Sequence, residues 1–204
     1  SFCDKNGLFL IEDAAHSPGA ILDGKYAGNI GHVGCFSFYP TKIITSGEGG
    51  MLTTNDSDIA NYARSYQNRG RDMQSAEECY IIPGRNVRMS EMNALLGRVQ
   101  LSHLDEYLYR RRQIAKMYSE MLYDLQGVQL VIPNKFESSS FWKFILLLDA
   151  TIDRAGVTEY MKSEGVTVDW SYTPALHLQP IFRRLYNTYE GQLPCSEDYL
   201  SRHI

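Results

Sequence analysis

The chain has 204 residues, and its 20 lysines and arginines against 24 aspartates and glutamates leave a formal net charge of -4, which gives no support to a nucleic-acid surface. With 44% apolar and 22% charged residues it has the makeup of an ordinary soluble globular protein, long enough to bury a sizeable core. No run approaches the roughly 18 apolar residues of a membrane span; Cys3, Cys35, Cys79, Cys195 and the five histidines lack metal-ligand spacing, so no metal site is predicted and a reducing, cytoplasmic compartment fits.

Residues 1–7 read as the last turn of a helix closed by Gly7, so the sequence is expected to begin inside an α/β unit. Residues 8–11 are continuously apolar, as in a strand covered on both faces, and they run into Glu12 and Asp13. Those carboxylates fall at the C-terminal edge of the strand, where open α/β sheets bind ligands. Further strands are predicted over 33–38 and 50–54, and a polar, glycine-bearing turn over 39–49 carries Lys42.

Asp56 or Asp58 is placed to cap a helix running to about Arg69, and residues 71–84 read as an irregular loop. Ser90 opens a long helical pattern with Glu91 in its first turn, where the helix dipole favours negative charge. That pattern continues to about Leu125, as two helices meeting near Ser102-His103 or as one bent helix. Within it, Arg110-Arg111-Arg112 reads as a solvated face. Strands follow over 128–132 and 141–148, with a polar connection over 133–140. Asp153 is placed to cap a helix reaching Glu164-Gly165, and 166–168 reads as one more strand. A domain boundary near 126–134 divides residues 1–126 from 127–204.

Taken singly, the polar residues along this path have bland readings. Asp13 suits a helix cap, Lys42 a solvated turn, and Gly47-Glu48-Gly49-Gly50 a tight turn that needs positive φ. His16 suits a capping or core position as well as a site, Asn86 reads as a loop residue, and Arg88 as surface charge. His177 reads best as a loop histidine with a structural hydrogen bond.

Together the motifs resemble the DegT/DnrJ/EryC1/StrS family of pyridoxal-phosphate (PLP) enzymes, mostly sugar-nucleotide aminotransferases. The stretches that carry the resemblance are Ile11-Glu12-Asp13-Ala14-Ala15-His16, Ser37-Phe38-Tyr39-Pro40-Thr41-Lys42 and Thr45-Ser46-Gly47-Glu48-Gly49-Gly50-Met51. Gly84-Arg85-Asn86-Val87-Arg88-Met89-Ser90-Glu91 and Tyr172-Thr173-Pro174-Ala175-Leu176-His177-Leu178-Gln179-Pro180 complete the set in order. Arg85 departs from the pattern, standing where relatives commonly carry an aromatic residue.

The resemblance implies an α/β fold of the fold-type-I aminotransferase class. Residues 1–126 would belong to its large mixed-sheet domain, and 127–204 to most of its small C-terminal domain. It also implies that the chain is a piece lacking the N-terminal part and extreme C-terminus of a family member. Lys42 would form the internal aldimine with the PLP aldehyde, as the deprotonated amine. Asp13 would pair with the pyridine nitrogen and keep it protonated as an electron acceptor. His16 would pack on the ring, Ser37 would bond the phosphate, and Asn86 would reach the phosphate in the neighbouring subunit of a homodimer. Arg88 would grip a substrate carboxylate through its planar fork, and His177 would face the nucleotide sugar. The implied reaction moves an amino group, by family habit from glutamate, to a keto sugar on a nucleotide. A lysine at position 42 argues for transamination, since the sugar 3-dehydratase branch carries histidine there. The alternatives are a PLP-binding regulatory homologue without turnover, or an inactive fragment.

Overall fold

The computed structural model describes residues 2–133, 135, 139–170 and 172–204. Residue 1 of the opening helix, and residues 134 and 136–138 of the expected polar connection, lie outside the described residues. The chain resolves into two compact units, one of residues 1–114 with 133–142 and one of 115–132 with 143–204.

In the first unit, helix α1 (Phe2–Asn6) stops at Gly7, whose φ of 61° is the left-handed conformation expected of that C-terminal glycine. Strand β1 (Ile11–Asp13) starts later than the apolar run suggests. Strands β2 (Ile21–Leu22) and β3 (Lys25–Tyr26) form a short antiparallel hairpin that periodicity does not reveal. Strand β4 (Val33–Ser37) lies between β1 and β5 (Gly50–Thr53), parallel to β1 and antiparallel to β5. The sheet is therefore mixed, with β1 at one edge. The expected burial of the first strand on both faces is corrected here: Phe9 is 55% and Ile11 63% exposed.

Helix α2 (Ser57–Gln67) is capped by Asp56, whose Oδ1 accepts from the N–H groups of Asp58 and Ile59 at 2.8 and 3.2 Å. Residues 71–84 are irregular apart from an isolated bridge between Arg71 and Tyr80. The long helical pattern resolves into α3 (Glu91–Ser102), capped by Ser90, and α4 (Leu104–Leu122), with His103 at the junction. The apolar positions of α3, among them Met92, Leu95 and Val99, are exposed. The core of this unit is built on Ile43, Ile44 and Leu108, with Phe38, Leu104, Tyr107 and Trp142 packed against them.

The second unit pairs β6 (Val128–Val131) antiparallel with β7 (Ile145–Leu148). The C-terminal residues extend that pair, Ile204 exchanging both backbone hydrogen bonds with Leu146 at 3.0 Å. Helix α5 (Arg154–Ser163) is capped by Asp153 as predicted, and α6 (Pro180–Tyr186) and α7 (Pro194–Arg202) each begin with the proline that suits a first turn. Residues 166–168 form no strand, contrary to the sequence expectation. A β-strand exists only through a partner for its backbone groups, and none of the described residues supplies one here. Among the described residues no helix is long and apolar enough to cross a membrane.

Candidate active site

The parallel pairing of β1 with β4 aligns Asp13 with Cys35 and Glu12 with Gly34. Side chains alternate across a strand, so Asp13, Cys35 and Ser37 share one face of the sheet, and Glu12, Gly34 and Phe36 the other. The two adjacent carboxylates are thereby separated into different roles.

On the second face the Glu12 carboxylate accepts three backbone N–H groups, from Gly28 at 2.8 Å, Ile30 at 2.7 Å and Gly31 at 2.6 Å. Burial acts to raise its pKa, but the bonds from Gly31, Gly28 and Ile30 together outweigh it and hold the carboxyl below its ordinary range. Gly34 is required beneath that loop, because a Cβ there would lie 2.3 Å from the Gly28 Cα. Glu12 is thus an anchor for the loop. On the first face Asp13 uses Oδ1 to accept the Ala15 N–H at 3.1 Å, and among the described residues its side chain makes no other hydrogen bond. A carboxylate in that state is available to a ligand cation at the C-terminal edge of the strand.

Lys42 sits in a turn fastened at both ends. Its N–H donates to the Tyr39 carbonyl at 2.9 Å, and the next residues, Ile43 and Ile44, are buried in the core. Thr45 Oγ1 and the Ser46 N–H both donate to the Phe38 carbonyl, at 2.9 and 3.0 Å. The return into β5 needs glycine at position 49, where φ is 157° and a Cβ would fall 2.4 Å from Ser46 Oγ. Ser37, at the end of β4, accepts weakly from the Tyr39 N–H at 3.4 Å.

Trp142 joins these parts. Its ring stacks on His16 with centroids 3.6 Å apart and planes 12° apart, and Lys42 Nζ lies 5.0 Å from the indole centroid. Its Nε1–H donates to the Thr41 carbonyl at 2.7 Å, while Ser140 Oγ donates to the carbonyl of His16 at 3.0 Å. The first unit therefore gathers Asp13, His16, Ser37 and Lys42 around one end of the sheet. Sequence reasoning missed Trp142, Ser140 and the arginines behind them. Arg111 Nη1 donates to the carbonyls of Phe141 and Trp142 at 3.0 and 3.3 Å, and Arg112 Nε to that of Ser139 at 2.9 Å. These two half-buried arginines correct the expectation of a solvated face, which holds for Arg110 alone. The available signal was a tryptophan beside a polar connection, since a buried indole N–H normally finds an acceptor.

Asn86 and Arg88 lie in the same unit but outside that cluster. Their segment is held by backbone bonds from Arg85 N–H to Tyr66 and from Val87 N–H to Gln67, at 2.7 and 3.0 Å. Both side chains are exposed, and Arg88 Nη2 donates to Asn86 Oδ1 at 3.3 Å. His177 belongs to the second unit, where it is 7% exposed and its Nε2 meets Glu197 Oε1 at 2.8 Å. Glu197 also accepts the N–H groups of Gly191 and Leu193. The Gly191 bond does most to hold the Glu197 carboxyl below its ordinary range; burial opposes it, and the weaker bonds from His177 and Leu193 add to the lowering. His177 thus has the structural hydrogen bond that a loop histidine suggests.

The donor set of the first unit fits pyridoxal phosphate. A carboxylate at a strand end suits a ring N–H, an exposed imidazole of fixed plane suits a flat ring, a turn lysine suits an aldehyde, and a strand-end hydroxyl suits a phosphate oxygen.

The model of the DegT/DnrJ/EryC1/StrS aminotransferase family matches residues 1–204. A dTDP-3-amino-3,4,6-trideoxy-alpha-D-glucose transaminase of Micromonospora megalomicea is 36% identical over 204 residues, covering 95% of this chain and 52% of that protein. A pleiotropic regulatory protein of Geobacillus stearothermophilus is 33% identical over 197 residues, 95% of this chain and 51% of the relative. The crystal structure of a DegT DnrJ EryC1 StrS aminotransferase from Brucella abortus superposes with a TM-score of 0.85 at 31% identity, over 99% of this chain and 52% of that one. DesV of S. venezuelae, solved in complex with a ketimine intermediate, gives 0.88 at 29% identity over 98% and 53%. The chain spans about half the length of the curated relatives it matches.

Proposed function

Because the chain belongs to the DegT/DnrJ/EryC1/StrS aminotransferase family, and its fold is that of the fold-type-I aminotransferases of this family, we propose that the complete protein is a pyridoxal-phosphate sugar-nucleotide aminotransferase. The observation that carries this reading is the grouping of Asp13, Ser37 and Lys42 at one end of β1 and β4, with His16 and Lys42 both against Trp142. Bound pyridoxal phosphate supplies an electron sink for the carbon that gains or loses its amine. Asp13 would hold the proton on the ring nitrogen, His16 would orient the ring, and Ser37 would donate to the phosphate. Lys42 would hold the cofactor through its amine, and its Nζ would take up and return the proton at the reacting carbon within each half-reaction. Arg88 grips the donor's carboxylate, for which glutamate is the family habit, and the acceptor is a keto sugar on a nucleotide. His177 is read here as the structural histidine of the loop that Glu197 organises rather than as a contact to the nucleotide sugar. Residues 1–126 serve as part of the large domain and 127–204 as part of the small one. A cytoplasmic homodimer, with Asn86 reaching the partner's phosphate, completes the reading.

Borohydride reduction of the complete protein with pyridoxal phosphate, followed by peptide mapping, tests it. The label is expected on Lys42 and to vanish in Lys42→Ala; no label on the wild-type protein sinks the aminotransferase reading. A second reading, a cofactor-binding regulator without turnover, is favoured by the Geobacillus relative's name. Label on Lys42 without conversion of any amino donor to its keto acid supports that alternative.

A further inference from the structure

Two of the proposed cofactor residues depend on a side chain that the family motifs do not include. We propose that Trp142 is a positioning residue, the brace that sets the plane of His16 and the reach of Lys42. This rests on the cofactor reading above.

The indole meets three targets at once. It stacks on His16 at 3.6 Å and 12°, faces Lys42 Nζ at 5.0 Å, and donates from Nε1 to the Thr41 carbonyl at 2.7 Å. A tryptophan present only to fill the core needs apolar contact on its rings and any one acceptor. Here the acceptor is the peptide group immediately before Lys42, and the stacking partner is the residue three positions after Asp13. The indole therefore couples two loops, 126 and 100 positions away in sequence, that would otherwise be set independently by their own turns.

The brace is itself rigidly held. Arg111 on α4 binds the carbonyls of Phe141 and Trp142, Arg112 binds that of Ser139, and Ser140 Oγ closes onto the carbonyl of His16. Phe141 is buried, 7% exposed, with φ at 45°, a conformation that a bulky residue adopts only where its surroundings impose it. The Trp142 ring face, 5.0 Å from Nζ, bounds the arc that the Lys42 side chain can sweep on its four rotatable bonds. Orientation of this kind acts on the rate at which a bound aldehyde meets its amine.

Trp142→Ala and Trp142→Phe in the complete protein test the brace, with thermal unfolding checked for each. Borohydride trapping is timed at limiting pyridoxal phosphate, and the His16 Cε1–H proton resonance is recorded without cofactor. Trp142→Ala is expected to slow labelling of Lys42 about tenfold, whereas Trp142→Phe, which keeps a ring under His16, stays within about threefold. The His16 resonance, shifted upfield by the indole ring current, moves downfield in Trp142→Ala and only partly in Trp142→Phe. Labelling of Trp142→Ala at the wild-type rate overturns the proposal, as does an unmoved His16 resonance. If Trp142→Ala fails to fold, Trp142→Phe decides: labelling as slow as that of a protein lacking His16's ring (His16→Ala) overturns the ring's role. Should the wild-type protein never label Lys42, the cofactor reading has failed, and the cofactor-free resonance alone judges the brace.

Discussion

Replacing Glu12 isolates the contribution of a carboxylate that stands beside the candidate site without belonging to it. Glu12→Ala leaves the N–H groups of Gly28, Ile30 and Gly31 without their present acceptor. Each such bond contributes about 0.5–1.5 kcal/mol net, and because the carboxylate is only half-buried, water replaces part of the loss. The low end of that range applies, giving a destabilisation of about 2 kcal/mol for the three bonds together. For a complete protein about twice the length of this chain, as its relatives are, that corresponds to a fall of roughly 2–4 °C in Tm, read by circular dichroism on the complete protein at pH 7. Glu12→Gln, which keeps one acceptor oxygen, is expected to lose about half as much. The carboxyl's folded pKa lies below its ordinary 4.5, so its contribution is fully present above that pH and is lost as pH falls through the folded value. The gap between wild type and Glu12→Gln is therefore constant from pH 8 to about 5 and narrows below about 4.5. A Tm for Glu12→Ala within about 1 °C of wild type, or a gap that widens on acidification, refutes the reasoning.

Asp56→Ala removes the cap that accepts from Asp58 and Ile59 and is expected to destabilise by about 1 kcal/mol, with Asp56→Ser recovering most of it in urea unfolding. Glu197→Gln loosens the 188–193 loop and the seat of His177. A lower Tm at pH 7 is expected, with a deficit that shrinks as pH drops through the depressed Glu197 pKa; faster hydrogen exchange at Gly191 and Leu193 localises the effect. Mixed dimers of Asn86 and Lys42 mutants of the complete protein are expected to recover activity that neither mutant has alone, because each assembly then contains one intact shared site. Absence of any complementation counts against Asn86 acting across subunits.

The elements that local chemistry dictates were legible without coordinates. Asp56, Ser90 and Asp153 announced three helices, because a short polar side chain before a periodic run can only profitably bond the first free N–H groups. Gly7 marked its helix end, and the motif order marked the family, since Asp13, Ser37 and Lys42 each fall at a point where a strand must end or turn. Pairing was another matter. The strand predicted over 166–168 did not form, and the apolar run before Glu12 is exposed, because a strand is defined by neighbours that can lie anywhere in the chain.

The assignment of Glu12 to one face and Asp13 to the other likewise needed the register of β1 on β4; adjacent carboxylates look alike until alternation across a sheet separates them. Arg111 and Arg112 looked solvated because charge alone gives no hint of distant carbonyls waiting to be bonded. Trp142 reached the site by the same route, since nothing local in Phe141-Trp142-Lys143 names His16 or Thr41 as its partners. By itself the sequence determined the family motifs, which residues are candidates for the chemistry, and where its helices start. The tertiary structure decided which of those residues meet, because long-range contact depends on how the whole chain packs rather than on any residue's own preference.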